Sequence, residues 1–162
     1  MQRRIEKLII LKIYNDETSN FSYVKVLTMT VCESIRLSQS QARSKISHLL
    51  QPFFLLEVEL VKTTKNWILS EVINANQIIK PNTYLDFQKI ADLQKILSSR
   101  VETGQETDIL ASLLEYFSQN QKLDQIDQTQ FDNYLLSKLG FLEESQLLNP
   151  ESVSQSKYSN HL

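Results

Sequence analysis

The 162-residue chain is poor in the residue types that build nucleotide loops, disulfide frameworks and metal centres. Its two glycines, Gly104 and Gly140, stand far apart, so there is no glycine-rich loop to cradle a phosphate. Its single cysteine, Cys32, excludes an internal disulfide and a structural zinc site made of several thiolates. The two histidines, His48 and His161, are too isolated to predict a histidine metal cluster.

Catalytic motifs are missing as well. The sequence has no His–Glu metal motif, and no serine or cysteine stands within a recognised nucleophile motif. The paired carboxylates at 16–17 and 143–144 are adjacent only along the chain, and such pairs are usually solvated turn residues. We therefore predict a protein that is not an enzyme and that uses no cofactor and no bound metal.

Long apolar runs are also absent. The run at 8–13 is interrupted by Lys12 and is followed by no small-residue cleavage site, so it predicts a strand and not a signal peptide. No segment approaches the roughly 18 apolar residues of a membrane-spanning helix. We expect a soluble, cytoplasmic protein that does not associate with membranes.

The net charge of −2 hides an asymmetry between the two halves of the chain. Residues 1–85 carry eleven basic and seven acidic side chains, a net charge of +4, whereas residues 86–162 carry six and twelve, a net charge of −6. An anionic partner responds to the local surface rather than to the chain average. The basic first half therefore keeps a nucleic-acid partner open despite the acidic total.

The first half has the alternation of apolar and polar residues that is typical of strands. A short helical pattern at 41–50 precedes Pro52, after which a strand can begin. Five strands with a helical element between the third and fourth are the layout of an OB-fold, a small Greek-key barrel. A β-sandwich fragment is the alternative, although about 75 residues are few for a sandwich. The predicted strands span residues 7–14, 23–31, 34–38, 55–61 and 67–72.

Beyond Lys80 and Pro81 the apolar period becomes helical. Three amphipathic helices are predicted within 83–101, 107–119 and 129–141. Asn82 or Thr83 is expected to cap the first helix, Thr107 or Asp108 the second, and Gly140 to end the third at the C′ position. The apolar stripe of the first helix is predicted to contain Leu85, Ile90, Leu93, Ile96 and Leu97.

These patterns together predict an α+β protein, mainly β in its first half and α in its second. We expect an OB-fold domain at 1–79, a small helical domain at 80–144 and a disordered tail at 145–162. The tail is expected because its sequence is polar and low in apolar residues.

Basic residues are spaced along the predicted barrel. An OB-fold binds single strands across its second and third strands and along neighbouring loops, where cations neutralise phosphates and release counterions. Tyr14, Phe21 and Tyr23 flank the first turn and are candidate stacking platforms for bases. The alternative is that the lysines only keep strand edges and turns soluble. The candidate DNA-binding residues are Lys12, Lys25, Arg36, Arg43, Lys45, Lys62 and Lys65.

Several segments resemble the RecO family of DNA repair and recombination mediators. The basic run Ala-Arg-Ser-Lys at 42–45, the Leu-Gln-Pro-Phe motif at 50–53 and the alternating Leu-Glu strand at 56–60 are similar to that family's hallmark segment. The turn Asp-Glu-Thr-Ser at 16–19 and the helix ending Leu-Gly-Phe at 139–141 resemble further parts of it. The match covers about residues 5–144. The chain resembles a short and divergent member of the family.

The resemblance implies an N-terminal OB-fold followed by a helical domain. It also implies a protein that binds single- and double-stranded DNA, anneals complementary strands, and helps to load RecA together with RecR and single-stranded DNA-binding protein. The alternative function is a non-catalytic protein-interaction scaffold on the same barrel, with weak or lost affinity for nucleic acid.

Overall fold

The protein is α+β, as predicted, and its described residues form five strands in the first half followed by three α-helices. This computed structural model describes residues 2–15, 21–38 and 51–141. The predicted helical element at 41–50 (Gln51 being the first residue described after it) and the predicted tail at 145–162 lie outside those residues. The strands are β1 (Arg3–Asn15), β2 (Phe21–Thr28), β3 (Cys32–Ser38), β4 (Phe54–Lys62) and β5 (Trp67–Gln77). The helices are α1 (Tyr84–Arg100), α2 (Ile109–Gln119) and α3 (Gln128–Lys138).

The five strands close into a barrel in the order β1-β2-β3-β5-β4. All neighbouring pairs are antiparallel except β3 and β5, which run parallel and pair Arg36 with Ile68. Alternate residues of each strand point inward, because successive side chains of a strand lie on opposite faces. The inner cluster contains Leu8, Ile10, Val24, Val26, Ile35, Leu37, Leu56, Val58, Leu60 and Leu69.

A second core lies between the outside of the barrel and the helices. Ile9, Leu27 and Cys32 lie on the outer face of the strands. Their side chains are fully buried in one cluster with the apolar faces of the helices. Residues of the predicted 1–79 and 80–144 domains thus share one continuous hydrophobic cluster. The separation into two domains stays a prediction.

Helix α1 begins where the sequence indicates. Thr83 is its N-cap, and the hydroxyl of Thr83 and the carboxylate of Asp86 form a reciprocal capping box. Ile90, Leu93 and Leu97 are buried, but the assignment of Leu85 to the same stripe was wrong, because its side chain is 71% exposed. Successive helical residues rotate by about 100°, which puts Leu85 to the side of the buried face.

Helix α3 ends at the predicted glycine. Gly140 has a φ of +87°, a conformation that glycine adopts without steric cost. Its N–H donates to the carbonyl of Ser137, and the N–H of Phe141 donates to the carbonyl of Leu136. This is the hydrogen-bond pair of a Schellman motif, so Gly140 is a C′ residue as expected.

Phe53 anchors the entry to β4. Its side chain is fully buried, and its ring centroid lies 4.9 Å from that of Phe117 in α2. The N–H of Ile78 donates to the carbonyl of Phe53, which ties this corner to the end of β5. Phe53 has a positive φ of 57°, a rare conformation for an aromatic residue that this packing holds in place.

Candidate nucleic-acid interface

Four residues of neighbouring strands form a row across the outside of the barrel. Tyr14 of β1 pairs with Tyr23 of β2, Tyr23 pairs with Arg36 of β3, and Arg36 pairs with Ile68 of β5. Directly paired residues share a face of the sheet and have Cβ atoms about 5 Å apart. We call these four residues the outer row.

The outer row combines aromatic and cationic side chains that are exposed or half-buried. Tyr14 is 43% exposed, and Tyr23 and Arg36 are half-buried. The ammonium of Lys12 lies 5.0 Å from the centre of the Tyr14 ring. Aromatic rings next to cations form the kind of surface on which unpaired bases stack while their phosphates are neutralised.

Arg36 lies within this row and Lys12 beside its Tyr14, but Lys25 has a different place. Lys25 is only 8% exposed, and its ammonium donates to the carbonyl oxygens of Ser98 at 2.7 Å and Val101 at 2.5 Å. Both acceptors belong to the last turn and C-cap of α1. Lys25 was predicted to bind DNA, but α1 covers its side chain and leaves little of it accessible from the outer row.

Lys62 and Lys65 lie at the turn between β4 and β5, close in sequence to Ile68 at the far end of the outer row. Both are exposed, and the ammonium of Lys62 lies 5.8 Å from the centre of the Trp67 ring. They are therefore candidates to extend the row beyond Ile68 rather than to act within it.

Arg43 and Lys45 lie outside the described residues. Their segment is joined at one end to Ser38, which pairs with Phe21. At the other end it is joined to Gln51 and Pro52, and Pro52 lines a cleft together with Lys12 and Tyr14. The chain that carries these two cations is thus attached next to the outer row at both of its ends.

The cleft lies between the barrel and α1 and has a volume of about 560 Å³. Among the residues that the structure describes, three lysines line it, Lys12, Lys25 and Lys95, and no acidic side chain does. Lys95 was missed by the sequence analysis, as were the cleft-lining serines Ser98 and Ser99. The polar side of α1 was visible in the sequence, but which strand it faces depends on tertiary packing.

The described residues contain no metal-binding cluster and no membrane-spanning helix. Across residues 2–15, 21–38 and 51–141, no three histidine, cysteine, aspartate or glutamate side chains are grouped so that they could hold a metal ion. In those ranges no helix is both long and apolar enough to cross a membrane. A scan of the chain against protein-family models and a search of curated proteins give no match.

Proposed function

We propose that this chain is a non-catalytic DNA-binding protein of the RecO type, built on an OB-fold. In this role it binds single- and double-stranded DNA, anneals complementary strands, and assists RecA loading together with RecR and single-stranded DNA-binding protein. The OB-fold is supported by a five-stranded closed barrel in which β1 pairs with both β2 and β4.

The observation that carries the proposal is the outer row of Tyr14, Tyr23, Arg36 and Ile68 with Lys12 beside it. The row crosses β2 and β3, the strands on which OB-folds bind oligonucleotides. Its rings offer stacking that tolerates any base, and its cations offer contacts to phosphates. The segment that carries Arg43 and Lys45 is attached beside it.

The mechanism follows from charge neutralisation. Two DNA strands repel each other through their phosphates, and cations that replace the counterions of both strands reduce that repulsion. Stacking on Tyr14 and Tyr23 holds a strand with its bases separated from one another and open to pairing. Annealing needs no covalent step, so no nucleophile or general base is required.

Fluorescence anisotropy with an internally labelled single-stranded oligonucleotide tests the interface. Tyr14→Ala is expected to weaken binding roughly tenfold, since stacking on one aromatic side chain contributes about 1–3 kcal/mol. Tyr84→Ala is the matched control, because Tyr84 is 75% exposed but lies on α1 outside the row. Equal affinities of the two variants would remove the outer row from the proposal.

A salt titration tests the contribution of Arg43 and Lys45. Reversing both charges (Arg43→Glu with Lys45→Glu) is expected to flatten the slope of log affinity against log salt, because fewer counterions are released. Annealing of complementary oligonucleotides should slow in parallel. Pull-downs with RecR and with single-stranded DNA-binding protein test the proposed partners separately from DNA.

A protein-interaction scaffold is the second candidate function. The observation that favours it is a group of exposed apolar side chains at the start of α1, with Tyr84 75%, Leu85 71% and Phe87 60% exposed. Such a group is more typical of a protein contact than of a DNA contact. Absence of oligonucleotide binding even at low salt would favour the scaffold over the DNA-binding function.

A further inference from the structure

The cleft between the barrel and α1 carries more positive charge than the fold requires, since Lys25 satisfies the end of α1 but Lys12 and Lys95 have no such role. The ammonium of Lys25 has three donors, and two of them are used by the carbonyls of Ser98 and Val101. Lys12 and Lys95 make no ion pair with any acidic residue in the described part of the chain. Three cations that line one cleft with no acidic side chain among its described residues repel each other, and an anion bound between them relieves the repulsion.

The cleft is also closed at its base. The side-chain amide of Gln94 donates to the carbonyl of Leu11 at 3.0 Å, and Lys25 donates to Ser98. Both bonds join α1 to the barrel, and all four residues line the cleft. A strand therefore cannot pass beneath α1 at these two positions, whereas the cleft volume of about 560 Å³ can hold a terminal phosphate.

We infer that this cleft binds the terminal phosphate of a nucleic-acid strand whose adjoining bases lie on the outer row. A terminal phosphate monoester carries a second negative charge near neutral pH, which matches a cluster of three lysines better than an internal phosphodiester does. Tyr14 belongs to the row and also lines the cleft, so the two surfaces are continuous. The hydroxyl of Ser98 can provide a neutral donor, whereas that of Ser99 already donates to the carbonyl of Ile96 at 2.7 Å.

This inference rests on the proposed function, because it supposes that a strand lies on the outer row. Its test uses three oligonucleotides of one sequence with an internal fluorophore: one with a 5′-phosphate, one with a 3′-phosphate and one with hydroxyls at both ends. The full chain is expected to bind one of the phosphorylated forms about three- to tenfold more tightly, the gain from one additional charge-assisted contact.

The variant Lys95→Gln tests whether the cleft is the source of the preference for a phosphorylated end. Lys95 is exposed on α1, and glutamine has a similar helix propensity, so the fold is expected to persist. The variant should lose the preference for the phosphorylated end while it binds the hydroxyl-ended strand nearly as before. Lys122→Gln, an equally exposed lysine that does not line the cleft, should keep the preference.

The outcomes separate the two proposals. Equal binding of all three oligonucleotides by the unaltered chain overturns the end-binding cleft and leaves the DNA-binding function standing. A preference that survives in Lys95→Gln, or that falls equally in Lys122→Gln, also overturns the cleft as its source. Binding of none of the three, even at low salt, overturns the proposed function and the inference with it.

Discussion

The ammonium of Lys25, in the middle of β2, lies 2.5 Å from the carbonyl oxygen of Val101, the C-cap residue of α1. It also donates to the carbonyl of Ser98, 2.7 Å away. The last carbonyls of a helix have no partner within the helix and carry a partial negative charge. A buried cation from the barrel thus satisfies the end of the first helix and joins the two halves of the fold.

Replacement of this lysine should destabilise the protein. Lys25→Met keeps most of the side-chain volume but leaves two carbonyls at the helix end without their donor. Hydrogen bonds that involve a charged group contribute about 1.5–3 kcal/mol each, less the cost of burying the charge. We expect urea unfolding to show a loss of about 1–3 kcal/mol in the free energy of unfolding.

The control for that experiment is the cross-strand neighbour of Lys25. Lys12 pairs with Lys25 in the sheet but is exposed, so Lys12→Met should change the free energy of unfolding by less than about 0.5 kcal/mol. Similar losses in both variants would mean that the bonds to Ser98 and Val101 contribute nothing beyond the general effect of removing a lysine.

Lys25 also shows where inference from the sequence stops. The alternation in β2 correctly separates Val24 and Val26 from Lys25 and Leu27, and the first pair is buried inside the barrel. Alternation cannot show that α1 covers the other face as well, since that contact joins residues 76 positions apart along the chain. A lysine on a strand is usually exposed, and here that general rule is overridden by a helix end.

Two helix ends, which depend on residues close in sequence, were predicted correctly, whereas the outer row and the cleft, which depend on long-range contacts, were not. The Thr83 cap and the Gly140 terminus were predictable because each depends on hydrogen bonds within a few residues. The outer row depends on three strand registers, and the cleft depends on the position of α1. The sequence named Tyr14, Tyr23 and Arg36 separately, but only the pairing of the strands puts them side by side.

A second prediction concerns the ion pair between α1 and α3. The guanidinium of Arg100 donates to both carboxylate oxygens of Asp132, at 2.7 and 2.8 Å. The hydrogen bond to Asp132 raises the pKa of Arg100 above its usual value despite the opposing effect of partial burial. A double-mutant cycle with Arg100→Gln and Asp132→Asn should give a coupling of about 0.5–1 kcal/mol that decreases with added salt.

Replacement of Arg100 by lysine separates the contribution of the paired hydrogen bonds to Asp132 from that of the positive charge. Lysine keeps the positive charge but cannot form two parallel hydrogen bonds to one carboxylate. Arg100→Lys should therefore lose most of the coupling to Asp132. If lysine preserves it, the pair contributes only through its charge.

A third prediction concerns Cys32. It is fully buried in the cluster between barrel and helices. Burial raises the pKa of its thiol, and the nearby charge of Lys25 only partly opposes that effect. Ellman's reagent at mildly alkaline pH should leave Cys32 unmodified in the folded protein and modify it fully in denaturing urea, because the thiolate is the reacting form.

A cysteine at an exposed position of the same strand is the matched control. Ser34 lies two residues along β3 and is exposed, so Ser34→Cys in a Cys32→Ser background should react quickly under native conditions. Native Cys32 reacting at the rate of that variant would show that the cluster opens readily, contrary to a tightly packed core.

The last prediction concerns stability at high pH. Burial raises the pKa of Tyr116 above its ordinary value near 10, and the neighbouring Tyr134 and Asp127 add to the effect. Once the pH exceeds 10, the unfolded chain loses this phenolic proton while the folded protein retains it. Stability linked to Tyr116 is therefore fully present below pH 10 and is lost as the pH rises toward the pKa of the folded state.

Urea unfolding between about pH 8 and 11 measures this linkage. Tyr116→Phe removes the titrating hydroxyl but keeps the ring. The centroid of that ring lies 5.5 Å from the ring centroid of Phe117 and 4.8 Å from that of Tyr134. The variant should lose less stability above pH 10 than the unaltered chain does. Tyr84→Phe, at a side chain that is 75% exposed, should leave the pH dependence unchanged. Identical alkaline slopes in all three proteins would mean that burial of Tyr116 does not hinder its ionisation, so that the phenol reaches water without opening the cluster between α2 and α3.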